Sequence, residues 1–198
     1  GSAPFVLAAH DWGVPLALDL AASLEGSGAV AGVALVDVGW CYEDLAPSSV
    51  RLIAAYQLWL AVACRVGGLL GGMMATYGPH RALFGTPPAL RRGGAGVSAE
   101  SAYHYVLAVR KARDGTASAP PPPHETVPCL FAYGAKKPVA FHSEGMLADV
   151  LARPHSKVIE YPCGHWVPTD AVGFTEDLAS WLEGIPSRPC VGNNITIV

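Results

Sequence analysis

Pro4-Phe5-Val6-Leu7-Ala8-Ala9-His10-Asp11-Trp12-Gly13 is the stretch on which the fold turns. The run from Pro4 to Ala9 is short, apolar and ends in a glycine-containing turn, the pattern of a buried parallel strand. Beyond it, residues 13–25 carry Val14, Leu16, Leu18, Leu20, Ala21 and Leu24 at helical spacing, and the pattern stops near Gly26 and Gly28. Residues 29–37 (AVAGVALVD) read as a second buried strand. Strand, helix, strand in this order predicts a parallel sheet covered by helices. Asp11 then sits where the first strand turns into the first helix, with the small residues Ala9 and Gly13 two places to either side.

Further along, the texture changes. Residues 41–123 are helical by pattern, rich in Ala, Leu and Gly, and hold no good strand candidate. They end in Ala119-Pro120-Pro121-Pro122-Pro123, a stiff extended connector. This predicts a helical cap inserted into a core made of residues 1–40 and 124–185. Within that core, strands are expected at Val127–Tyr133 and Lys157–Tyr161, a helix between them at about 143–151, and a last amphipathic helix at about 169–182. Residues 186–198 show no pattern and read as an irregular tail.

A chain of 198 residues, 51% apolar, is ordinary for one domain with a sizeable core. A net charge of −3, with basic residues in no longer run than pairs such as Arg91-Arg92 and Lys136-Lys137, gives no reason to expect nucleic acid or an acidic membrane. The stretch 52–77 is apolar enough to raise a membrane span. Gln57, Arg65, Gly67-Gly68 and Gly71-Gly72 interrupt it, so two buried cap helices are expected and no span. Five widely spaced cysteines without a CxxC pair point to reduced thiols of a cytoplasmic protein. No His, Cys, Asp and Glu grouping has metal spacing, and neither metal nor cofactor is implied. Asn194-Ile195-Thr196 fits an N-glycosylation sequon, a triplet that arises often by chance.

A small-x-nucleophile-x-small turn between strand and helix holds the nucleophile in α/β-hydrolases. Here Asp11 takes that place. VLAAHDWGVPLALDLA resembles the elbow of the epoxide hydrolase and haloalkane dehalogenase branch. Tyr161-Pro162-Cys163-Gly164-His165-Trp166 resembles its histidine loop, and Phe131-Ala132-Tyr133-Gly134 with Phe141-His142-Ser143 its seventh strand and following loop. The resemblance runs from about Val6 to Trp181. It implies a carboxylate that attacks an sp³ carbon to form an ester, and His165 as the base that activates water to cleave it. The backbone N–H of Trp12 would stabilise the oxyanion of that second step. Serine at position 11 would suit acyl transfer; aspartate argues against an esterase or lipase.

The pattern departs from the family at the acid. Relatives often carry Gly-x-x-Asp after the seventh strand, whereas this chain reads Gly134-Ala135-Lys136-Lys137, and a lysine cannot accept the imidazole N–H. Asp37, at the end of the second strand, is the proposed acid. The alternative is that Asp37 only ends the strand and a backbone carbonyl orients His165; Asp170 and Glu144 are lesser candidates. Epoxide hydrolases use cap tyrosines to donate to the opening epoxide oxygen, which makes Tyr103 and Tyr105 candidates, with Tyr56 and Tyr77 behind them; for each, core packing is the alternative. His10 and His142 read as structural neighbours.

The implied substrate is a small apolar molecule. An epoxide hydrolase-like enzyme is the leading reading, a haloalkane dehalogenase the second, and a non-catalytic binding protein of the same fold the third. Relatives place further strands and a His-Gly-x-Pro loop ahead of the elbow. Their absence from this sequence implies a truncated sheet (strands five to eight), from an incomplete or shortened gene product or from strand exchange within a homo-oligomer. Little or no turnover is expected of the chain alone.

Overall fold

The computed structural model describes residues 3–41, 45–93 and 96–186. The irregular tail, Cys190 and the Asn194 sequon lie outside the described residues. The chain divides into two compact units. One comprises Gly1–Asp44, Ala119–Lys136 and Ala140–Val198; the other comprises Leu45–Ser118 and Lys137–Val139.

The first unit is a four-stranded parallel sheet, β1 (Phe5–His10), β2 (Val30–Val36), β3 (Cys129–Gly134) and β4 (Lys157–Tyr161), in that spatial order. The register pairs Ala8 with Ala34, Ala34 with Leu130, and Ala132 with Ile159. The continuous apolar runs of β2 and β3 follow from burial on both faces: Val33, Leu35, Phe131 and Ala132 have no exposed surface. On one face, Ala34, Leu130 and Trp181 form a cluster that Leu178 and Leu182 of α9 (Phe174–Gly184) extend. Helices α1 (Gly13–Ser23) and α7 (Glu144–Ala152) also pack on the strands. The Ser143 side chain caps α7 by accepting from the Met146 N–H at 3.1 Å. All four expected strands are present, and the last matches residue for residue.

Two expectations need correction. The single helix expected at 169–182 is two, α8 (Val167–Asp170) and α9, because Ala171 takes an extended conformation and breaks the turn. The polyproline connector also belongs in part to the sheet unit. Arg153, almost fully buried, donates Nη1 to the Pro123 and His124 carbonyls at 2.7 and 2.9 Å, which ties that segment to the sheet rather than to the helices.

The second unit is helical: α2 (Pro47–Val66), α3 (Gly68–Tyr77), the short α4 (His80–Phe84) and α5 (Pro88–Arg91), a 3₁₀ turn (Ala99–Ala102) and α6 (Tyr103–Arg113). Gly67 at φ +68° and Gly68 at φ +53° make the corner between α2 and α3, a conformation that a side chain disfavours. Tyr56, Leu60, Ala61 and Ala63 of α2 are buried. The expectation of two buried helices holds for that face only: Leu58, Val62, Val66, Leu69, Leu70 and Met73 are all exposed. An apolar pattern shows that a helix has something to bury, not that it has been buried.

Candidate active site

Three loops at the carboxyl ends of β1, β2 and β4 bring Asp11, Asp37 and His165 together. Asp11 follows β1 at φ +54°, in the left-handed region that few side chains adopt and that aspartate tolerates better than most. Its N–H donates to the Val36 carbonyl at 3.2 Å, and its own carbonyl accepts from the Val14 N–H at 3.0 Å. The turn is thus tied to β2 on one side and to the start of α1 on the other. Trp12 already has helical angles, so its N–H lies at the amino end of α1.

Asp37 follows β2, also with positive φ (+74°), and has no exposed surface. Its carboxylate is held at both oxygens: Oδ1 accepts from the Gly134 N–H at 3.2 Å and Oδ2 from His165 Nδ1 at 2.5 Å. A buried carboxylate is costly unless it is paired and hydrogen-bonded, and here it is both. His165, itself 4% exposed, directs Nε2 at Asp11 Oδ2, 3.6 Å away. Its backbone carbonyl accepts from the Val167 N–H and from His10 Nε2 at 3.0 Å.

Burial opposes charge on His165. The contacts with Asp11 and Asp37, and the negative charge of both, outweigh it and raise the imidazole from 6.5 to about 9. His10 moves the opposite way, because it is desolvated and faces His165. A histidine raised on folding stabilises the native state fully below its unfolded value, and that contribution is lost as pH rises through the folded value. The melting temperature is therefore expected to fall between about pH 6.5 and pH 9, a decline absent from His165→Gln; thermal denaturation of both proteins across that range checks it.

Gly134, which ends β3 and opens the Gly134-Ala135-Lys136-Lys137 stretch, has a role that the sequence does not reveal. Its N–H fixes Asp37, and its Cα lies so close to the Gly164 carbonyl oxygen that an added Cβ would collide with it. Gly134→Ala is therefore expected to displace the His165 loop and to lower unfolding free energy by about 2 kcal/mol or more, read by urea denaturation. At Gly13 a Cβ would meet Ala9 at an ordinary 3.6 Å, so alanine fits there.

The other candidates have surroundings of their own. Lys137 stands where the enzymes this sequence resembles often carry their acid, but Asp37 is the carboxylate on His165 Nδ1. Asp170 accepts from the Thr169 hydroxyl at 3.0 Å, and Glu144 stands in the first turn of α7. His142 packs its ring on Tyr133 and Phe131. Tyr103 and Tyr105 open α6 in the helical unit; Tyr103 is exposed, and Tyr105 meets Tyr56 edge to face at 6.0 Å. Donor atoms of His10, Asp37 and His165 all lie within 4.8 Å of one another, a grouping that chain spacing does not reveal. His10 Nε2, His165 Nδ1 and the Asp37 carboxylate already serve the hydrogen bonds described. Cys41, Cys64, Cys129 and Cys163 are not joined in disulfides.

No family model matches the chain, and no curated protein matches it by sequence. Solved structures do. A protein from Klebsiella pneumoniae assigned as an epoxide hydrolase superposes with a TM-score of 0.52 at 16% identity, over 90% of this chain and 65% of its own. A haloalkane dehalogenase loop variant from Bradyrhizobium elkanii gives 0.51 at 18%, over 92% and 68%. A protein from Acinetobacter baumannii assigned as a lipase gives 0.55 at 13%, over 92% and 62%. The chain spans about two thirds of the length of these structures.

Proposed function

From the α/β-hydrolase fold that this chain has, we propose an epoxide hydrolase-like activity in which Asp11 is the nucleophile, His165 the base and Asp37 the acid that orients it. One observation carries this reading: a single buried imidazole is shared between two carboxylates, one fully buried at 2.5 Å and one on a strained turn at 3.6 Å.

The roles follow from the environments. Asp37 is enclosed, with both oxygens held in hydrogen bonds and no surface that a substrate could reach. Asp11 is partly exposed and has the freer carboxylate. An Asp11 oxygen attacks an epoxide carbon, that C–O bond breaks, and the alkoxide takes up a proton. Tyr103 and Tyr105 are candidates for that donor on residue chemistry alone, a phenol having a pKa of about 10. Esterification removes the charge of Asp11, one of the influences that hold His165 protonated. The imidazole then gives up its Nε2 proton to solvent more readily and accepts one from the attacking water; that proton passes to the departing alkoxide as the ester opens to a diol and Asp11 returns to its carboxylate. The Trp12 N–H is the proposed donor to the intermediate oxyanion.

Exposing the chain to a styrene-oxide-type epoxide, then digesting it for mass spectrometry, tests the first step without requiring rapid turnover. A substrate-sized mass increment on the peptide containing Asp11, absent in Asp11→Asn, is the expected result. An increment from a bromoalkane but not from the epoxide would move the reading to a dehalogenase. Neither increment would leave the non-catalytic alternative.

A further inference from the structure

We propose that the helical unit docks on the surface of an anionic phospholipid bilayer, lying on it without crossing it. The inference is independent of the chemistry at Asp11. It begins with an apolar surface that has no cover. Helix α2 is long and apolar enough to cross a membrane, yet only 22% of its most apolar window is buried. Leu58, Val62 and Val66 recur along it at four-residue spacing and are 44–54% exposed. At the Gly67-Gly68 corner the stripe passes to α3, where Leu69, Leu70 and Met73 are 84%, 62% and 52% exposed. Six exposed aliphatic and thioether side chains on two joined helices form a patch that marks an interaction surface.

Charge identifies the occupant. The segment making up this unit holds nine arginines and lysines against two acids, Glu100 and Asp114. Asp114 is already engaged by Arg113 at 2.9 Å. The rest of the chain has four basic residues against fourteen acidic ones, so the net charge of −3 conceals a segregation of sign. The apolar stripe and the cations also meet. A groove of about 200 Å³ between α2 and α6 has Leu58, Val62, Val106 and Val109 in its walls and Arg65, Arg110 and Arg113 along it. Apolar side chains that sit among acyl chains, beside guanidinium groups that pair with phosphate, are the two requirements of a bilayer interface. Tyr56, Leu60 and Ala63 are buried on the other face of α2, so the helix lies flat rather than leaving its neighbours to span. A second copy would bring like charge against like, and a nucleic acid has no use for Leu69 or Leu70.

The test is co-sedimentation of the whole chain with vesicles of phosphatidylglycerol and phosphatidylcholine, against vesicles of phosphatidylcholine alone. Binding to the anionic vesicles is expected to be at least about tenfold tighter and to weaken as salt rises. Arg65→Gln with Arg110→Gln is expected to weaken it roughly thirtyfold, two charges at about 1 kcal/mol each. Leu69→Ser with Leu70→Ser is expected to weaken it about tenfold. All four positions are exposed, so circular dichroism of the variants should match the parent. Equal affinity for neutral and anionic vesicles, or none for either, would overturn the proposal. So would tighter binding to a polynucleotide that is indifferent to the leucine changes, or a dimer that those changes dissociate.

Discussion

Asparagine at position 37 is expected to slow cleavage of the Asp11 ester by about 10³- to 10⁴-fold while leaving the ester able to form. The residue is enclosed, with one oxygen accepting from the Gly134 N–H and the other from His165 Nδ1. An amide satisfies the first only by keeping its oxygen there, which turns its NH₂ toward the imidazole. His165 must then accept at Nδ1 and carry its proton on Nε2, the tautomer that cannot take a proton from water. The loss of a buried charge also removes one influence that raises the imidazole, so its titration moves down. Quenched-flow sampling of the ester would show normal appearance and delayed disappearance. A role for Asp37 in ending its strand, and nothing more, predicts no such split.

Asp11 offers a second large effect, and a contrast. Asp11→Asn is expected to abolish the adduct and turnover, because an amide is no nucleophile. The fold should persist, since asparagine tolerates the φ of +54° held there. Asp11→Val removes the same oxygens but places a β-branched residue in left-handed backbone, a strain on the order of 2 kcal/mol. Both variants should be equally inactive, whereas urea denaturation should separate them. Equal stability of the two would mean that the turn is not held as described.

Much of this arrangement was legible in the chain. The alternation of apolar strand and amphipathic helix from Val6 to Val36 located the elbow. Lysine at position 137, where an acid would be expected, leaves Asp37 as the carboxylate at a strand end. Contacts across long sequence separations were not legible: Gly134 lies 97 residues from the carboxylate it fixes, and His10 lies 155 from the carbonyl it meets. The break before α9 was hidden because residues 171–173 interrupt an otherwise continuous amphipathic pattern. The exposed face of α2 and α3 was misread for a different reason. Hydropathy records what a segment would prefer to bury, and an average charge erases where the charges are. Segregation of nine basic residues in the helical unit becomes visible only once that unit is delimited.

A single turnover in ¹⁸O-water, followed by analysis of both the product and the Asp11 peptide, shows which carbon the water attacks. Water that attacks an ester carbonyl leaves its oxygen on the enzyme, whereas water that attacks the substrate carbon leaves it on the diol. With Asp11 as the nucleophile, label enters the Asp11 carboxylate and the first product is unlabelled. Label in that product, with residue 11 unlabelled, would contradict that role.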